Sequence, residues 1–215
     1  HNIGFAGQLQ TDVYNATQLY DGNLYIGGEN GLVILDRNYQ KVDNDLTRLL
    51  NGTRIRYLLA AKDGALWLAT YKNFGLLRYQ DGSWHNWSTA QGLPTEKVRT
   101  LLQRRNGDIV AGTGNGIVIM RDGAVARVLG AQDGITTGVI LCLAEDSSGN
   151  LYCGSDGGGI FKIDQHGTIS NINYTQEVDK LGTILSLCWD EDNKGLWISN
   201  GGALQFLSQD GVHSI

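Results

Sequence analysis

Five short stretches of the chain are variants of one phrase: LYIGG at 24–28, LWLAT at 66–70, IVAGT at 109–113, LYCGS at 151–155 and LWISN at 196–200. Their first residues are spaced by 42, 43, 42 and 45 residues, which is the interval of propeller blades. A unit of this length cannot bury its apolar face alone, so the copies must stack to make a core.

Each copy sits in the same surroundings. A β-rich run leads in, such as VRTLLQ (98–103) or VILCLAED (139–146), followed by a polar turn with Gly: DGN, DGA, NGD, SSGN or NKG. After the phrase comes a Gly-bearing loop (GGENG, TYKNFG, GTGNG, GSDGGG, SNGG), then a third strand (LVILD, LLRYQ, IVIMR, IFKID, LQFLS). A weaker fourth strand follows in SWHNWS, AVARVL and TISNINYT. Four antiparallel strands per repeat define a blade. The expected fold is therefore all-β: a β-propeller region of about five four-stranded antiparallel blades over residues 1–215, with blades at 13–44, 55–88, 98–130, 139–175 and 184–215. No stretch sustains the i, i+3, i+4 apolar spacing of a long helix. Thirty Gly and one Pro suit short strands joined by tight turns. Trp67 is expected to pack between blades.

The consensus of these copies, a D/N-G-x-L-W-x-G/A-T-x-x-G-L/I core with GLPTEKV (92–98) and the looser GITTGV (134–139) before the next blade, resembles the two-component regulator propeller repeat. The resemblance runs from about Val13 to the end and is clearest in the second, third and fourth copies. The first has Ala16 where its opening strand should carry Leu, and the fifth has the longer turn DEDNKG and Asn200 in place of Thr. The resemblance implies the periplasmic or extracellular sensor region of a membrane-anchored bacterial signalling protein, a hybrid histidine kinase or diguanylate cyclase, with an oligosaccharide among the ligands of such regions. Propellers commonly carry six to eight blades, so part of a longer array is the expectation and a complete five-bladed ring the alternative. Neighbouring blades or domains, or a homo-oligomer, would then cover the end faces.

Composition excludes several other functions. The chain is 41% hydrophobic and 18% charged, and it has no apolar run long enough to cross a bilayer. Its net charge is −5, and nucleic-acid binders usually present a basic face. The basic stretches TRIR (53–56) and QRRN (103–106) are too short to make one. Cys142, Cys153 and Cys188 lack metal spacing. The first two flank the turn EDSSGN and are expected to be buried free thiols, a disulfide across the turn being the alternative. His1, His85, His166 and His213 have no ligand-spaced partners. No G-x-S-x-G elbow occurs. Asp63, Asp122, Asp146 and Asp192 fall in turns, where Asp hydrogen-bonds its own backbone. GTGNG (112–116) and GSDGGG (154–159) lead into strands, whereas a dinucleotide fingerprint leads into a helix. Neither enzymatic activity, nor a cofactor, nor a metal is expected. Of the N-x-S/T triplets at Asn15, Asn51, Asn86 and Asn173 a couple would arise by chance in so Asn-, Ser- and Thr-rich a chain, and the bacterial resemblance makes glycosylation unneeded.

Loops on a rigid scaffold are where binding groups are usually presented. The loops between second and third strands of the blades gather with the interblade connectors around a propeller's central channel. The candidate ligand-binding residues are therefore Glu29 and Asn30, then Tyr71, Lys72, Asn73 and Phe74 in the longer loop, then Asn115 and Asp156. Arg56 and Arg99, at the start of innermost strands, are placed at the channel mouth. Aromatic faces suit sugar stacking, so a small ligand such as an oligosaccharide is expected here, with packing of Tyr71 and Phe74 on a neighbouring loop as the alternative. Two rivals stay open: a secreted propeller enzyme acting on polysaccharide, and a passive interaction scaffold using the aromatic outer strand WHNW (84–87).

Overall fold

The computed structural model describes residues 13–172 and 182–214; Asn173 and His1 lie outside this range. Its strands form five consecutive sheets. The first holds β1 (Tyr14–Tyr20), β2 (Asn23–Gly28) and β3 (Leu32–Leu35). The second holds β4 (Ile55–Ala60), β5 (Leu66–Thr70), β6 (Leu76–Gln80) and β7 (Ser83–Trp87). The third holds β8 (Val98–Gln103), β9 (Ile109–Thr113), β10 (Ile117–Arg121) and β11 (Ala124–Leu129). The fourth holds β12 (Ile140–Glu145), β13 (Leu151–Ser155), β14 (Ile160–Ile163) and β15 (Ile169–Asn171). The fifth holds β16 (Ile184–Asp190), β17 (Gly195–Asn200), β18 (Leu204–Ser208) and β19 (Gly211–Ser214). Within each sheet neighbours in sequence pair antiparallel. The first strands β1, β4, β8, β12 and β16 stand side by side in that order.

The first sheet departs from the expected four strands. Over 36–44, where the fourth strand was expected, only Lys41 bridges back to Leu35, and a short helix, α1 (Asp45–Leu49), follows beyond the expected end of the unit. Asn44 caps it: its side chain accepts from the Thr47 N–H while Thr47 Oγ1 accepts from the Asn44 N–H, a reciprocal cap. Leu46 and Leu50, four apart on one helical face, are buried in the joint with the second sheet.

The repeated phrases are the second strands β2, β5, β9, β13 and β17. Every residue of β5, β9 and β13 is buried, because a sheet follows on each side and both faces of the strand meet a core. In β5, Leu66 and Leu68 pack toward the first sheet with Tyr25, Ile34 and Ile55. Trp67 and Ala69 point the other way, toward Leu101 and Ile109 of the third sheet, as period-2 alternation requires. Trp67 is 4% exposed, and its ring stacks on Trp87 at 5.3 Å. The apolar interior is thus four separate seams, one at each joint between successive sheets.

The small residue near the end of the phrase marks where two sheets approach. A Cβ on Gly27 would lie 2.5 Å from Cγ2 of Ile55, the first residue of the next sheet, and one on Gly154 would lie 2.6 Å from Cγ2 of Ile184. Where a hydroxyl ends the phrase it closes the following loop. Thr70, Thr113 and Ser155 donate to the carbonyls of Gly75, Gly116 and Gly159 at 2.9, 2.9 and 2.8 Å.

The turn carboxylates have local partners. Asp146 accepts the N–H groups of Ser148 and Asn150 and the Tyr152 hydroxyl, and Asp63 accepts the Ala65 N–H and pairs with Arg78. Cys142 and Cys153 are both free and buried. They are on different faces of their sheet: Cys142 belongs to the seam with the fifth sheet and Cys153 to the seam with the third. In WHNW, Trp84 is 45% exposed while Trp87 is buried, as residues three apart on a strand should be.

Candidate functional site

A common irregularity defines one edge of all five sheets. Pairing of each first strand with its second slips by one residue at its start, at Asn15, Arg56, Arg99, Leu141 and Leu185. A bulge takes its residue out of the ladder and re-aims the side chain. Five equivalent side chains are thereby released at one end of the first strands, and in the second and third sheets both are arginine.

The loops after the phrases are fixed to this same edge. The N–H groups of Glu29, Tyr71, Gly114 and Asp156, each the first residue after a phrase, donate to the carbonyls of Val13, Arg54, Lys97 and Val139 at 2.8–3.0 Å. Three of these loop residues then reach the entry of the following sheet. Glu29 Oε2 lies 2.8 Å from Arg54 Nε. Tyr71 bridges to Lys97, and Asp156 Oδ1 accepts from the Thr183 hydroxyl at 2.8 Å. Glu29, Tyr71 and Asp156 thus each span a joint between two sheets.

At the second joint this arrangement gathers charge. The Tyr71 ring has the guanidinium carbons of Arg54 and Arg99 at 5.1 and 5.2 Å from its centroid and Lys97 Nζ at 5.7 Å, within cation–π range. Asn15 Nδ2 donates to Glu29 Oε1 at 3.0 Å and to the Ile55 carbonyl at 3.2 Å, orienting the carboxylate toward Arg54. The Arg54–Glu29 contact is an ion pair without hydrogen-bond alignment at Nε. Arg56 follows two residues on. Its pKa is lowered first by burial and then by repulsion from Arg54 and Arg99. Arg99 Nε is buried without an acceptor. Among the described residues no carboxylate pairs with Arg56, Lys97 or Arg99.

Of the residues that the sequence nominated, the structure brings Glu29, Arg56, Tyr71 and Arg99 together. Lys72 and Asn73 are exposed beyond Tyr71 with left-handed backbone (φ 81° and 68°), and the Lys72 N–H donates to the Glu96 carbonyl. Phe74 lies edge-on to Trp84 with centroids 6.3 Å apart, on the outer-strand side of the loop. Asn30 is exposed, and its carbonyl accepts from the Gly52 N–H. Asn115 is exposed with its N–H on Thr113 Oγ1. Asp156 serves the fourth joint. Arg54, Lys97 and Asn15 belong to the cluster and were not nominated. A signal existed: R-I-R (54–56) and K-V-R (97–99) repeat a basic, β-branched, basic triplet at the same place in two blades. Among the described residues no group of side chains fits a metal ion, and no helix is long and apolar enough to cross a membrane.

The array of three- and four-stranded antiparallel sheets is similar to the fold of several solved bacterial proteins. The chain superposes on the extracellular domain assigned to a hybrid two component system of B. thetaiotaomicron with a TM-score of 0.78 at 20% identity, covering 96% of this chain and 28% of that one. A second such domain from the same organism gives 0.77 at 18% identity, covering 95% and 31%. The chain thus spans about three tenths of the length of these domains. Virginiamycin B lyase from Staphylococcus aureus gives 0.74 at 14% identity, covering 94% and 69%. No protein-family description and no curated protein matches the chain. The structural neighbours therefore include extracellular domains of two-component systems, the class to which the repeated phrase pointed.

Proposed function

We propose that the chain is a β-propeller portion of an extracytoplasmic sensor, belonging to a longer membrane-anchored signalling protein, and that it binds a small ligand, such as an oligosaccharide, at the edge where the bulged first strands and the loops meet. The observation that carries this reading is Tyr71. Its loop is held by backbone bonds to both adjacent sheets, so its ring and the groups around it are set by the packing of two blades. A ligand there touches both sides of a joint and can favour one arrangement of the blades over another, which a sensor requires.

A curved array is supported by a contact that skips a sheet. Arg105, in the turn after β8, lies 3.6 Å from Glu191, in the turn after β16, so the third and fifth sheets converge past the fourth. The likeness to solved extracellular domains supports the cellular location. Propeller enzymes remain the second reading because the lyase shares the fold. The described histidines favour the sensor: His85 packs on Trp87, His166 occupies a turn after β14, and His213 is in β19, all away from Tyr71.

The test is a thermal-shift screen of neutral and acidic oligosaccharides against the chain and its Tyr71→Ala variant. The reading predicts saturable stabilisation of the parent by at least one member, lost in the variant, with the oligosaccharide recovered intact. Turnover of a bound member would replace the sensor with the enzyme.

A further inference from the structure

The mouth holds a charge arrangement that a neutral sugar does not explain. We propose that the ligand presents an oxyanion, a carboxylate or a sulfate group, to Arg56, Lys97 and Arg99 at the joint between the second and third sheets. This rests on the ligand-binding reading of the same edge and names the chemistry that the edge selects.

The chain as a whole is acidic, with net charge −5, yet four cationic side chains meet at this joint. Glu29 pairs with Arg54 and only partly offsets Arg56, whose basicity it raises against the larger effects of burial, Arg54 and Arg99. Arg54, Lys97 and Arg99 surround the Tyr71 ring, with Arg56 in electrostatic reach of both other arginines, and arginine does not shed its charge to relieve repulsion. Solvent and salt screen part of this repulsion, since Lys97 is exposed and the arginines are only part-buried, and a bound anion would offset the rest locally. The depressed basicity of Arg56, caused by burial and then by Arg54 and Arg99, is consistent with this.

Hydrogen bonding points the same way. Arg99 Nε is buried and has no acceptor, although buried donors are nearly always satisfied. An oxyanion supplies acceptor atoms as well as charge, and guanidinium groups bind carboxylate and sulfate in a forked geometry that water or a hydroxyl does not match. Arg56 and Arg99 occupy the same bulge one sheet apart, which places two such forks side by side. The equivalent residues of the fourth and fifth sheets are Leu141 and Leu185, so the charge is confined to one side of the edge. The remaining surface is acidic overall and disfavours a long polyanion, which leaves a single acidic group as the fitting partner.

The experiment is isothermal titration of the whole chain with sodium sulfate, sodium glucuronate and glucose at constant ionic strength. The parent, Arg56→Gln, Arg99→Gln, Arg99→Lys and the distant control Arg48→Gln are compared, each checked for an unchanged circular dichroism spectrum. The proposal expects saturable binding of sulfate or glucuronate and none of glucose. It expects at least a tenfold loss in R56Q and R99Q, partial retention in R99K, and no change in R48Q. The arm that binds more tightly identifies sulfate or carboxylate as the group. Absence of saturable binding by either anion, or equal binding in R99Q, overturns the proposal. A Tyr71-dependent neutral oligosaccharide in the screen would then leave the sensor reading standing, whereas no Tyr71-dependent ligand at all would remove both.

Discussion

Glu29 and Arg54 face each other across the first joint with Oε2 and Nε 2.8 Å apart, and the carboxylate is held in place by Asn15. The pair ties up Arg54 and leaves Arg56, Lys97 and Arg99 without an ion-pair partner among the described residues. Glu29 is thus both a tie between the first two sheets and the acidic limit of the basic patch.

Replacing Glu29 with Gln should change stability little. Both side chains are about a third exposed, and pairs of this kind contribute about 0–1 kcal/mol. The same substitution removes a negative charge beside the patch, so affinity for an added anion should rise a few-fold. Urea denaturation and sulfate titration of E29Q measure the two effects separately.

Gly27→Ala should destabilise by about 1–3 kcal/mol, the usual cost of forcing a group into a filled core, because its Cβ would lie 2.5 Å from Ile55 Cγ2. Adding Ile55→Val leaves this branch methyl in place, whereas Ile55→Ala removes it. G27A/I55A should therefore show a favourable coupling relative to the sum of the single changes, and a double-mutant cycle in urea reads it. Strict additivity would mean that the two sheets do not meet there.

Acid should weaken the fold in a defined window. The bidentate guanidinium of Arg121 holds Asp108 below the ordinary carboxylate range, with Asn106 assisting. Asp190 is held at about 2, chiefly by hydrogen bonds from Asn193 and Trp197. Both folded values are depressed. Their contribution is therefore fully present above the unfolded carboxylate value of about 3.9 and is lost as pH falls through the folded values. The urea midpoint should hold steady from neutrality to pH 5 and decline below pH 4. Asp108→Asn should flatten part of that decline.

Thiol reactivity should divide cleanly. Burial pushes the Cys142 thiol up to about 12 and raises Cys153 as well, whereas Cys188 is exposed. A thiolate is the reactive form. A disulfide reagent should label one thiol per native chain at Cys188 and all three after denaturation, and Cys188→Ser should abolish the native reaction. Rapid native labelling of Cys142 would contradict the packing of the fourth joint.

The architecture was legible because the repeat period survives even where the phrase has diverged, from LWLAT to IVAGT. Trp67 could be assigned to the interior because its phrase recurs as structure. The helix between the first two units was not legible. Asn44 and Thr47 make a reciprocal cap over only five helical residues, too short a segment for periodicity to register. Arg56 and Arg99 could be placed at the start of the first strands, the edge that proves to be bulged, but the parts played by Arg54 and Lys97 could not be read. They precede their strands, and their importance depends on the Tyr71 loop that pairs with both and on the ring that gathers them, products of contact between distant segments. Phe74 shows the opposite limit: it adjoins Tyr71's loop in sequence, yet Trp84 draws it to the outer strand.

The most direct test is an amide-resolved NMR titration of the chain with the tightest-binding oligosaccharide from the screen. The account predicts that shifts concentrate at 13–15, 29, 54–56, 71–73 and 97–99, on both sides of the first two joints, and that Tyr71→Ala removes them. Shifts confined to the opposite turns, such as 62–64, 105–107 and 147–149, or spread evenly over the outer strands, would contradict a ligand site at the bulged edge.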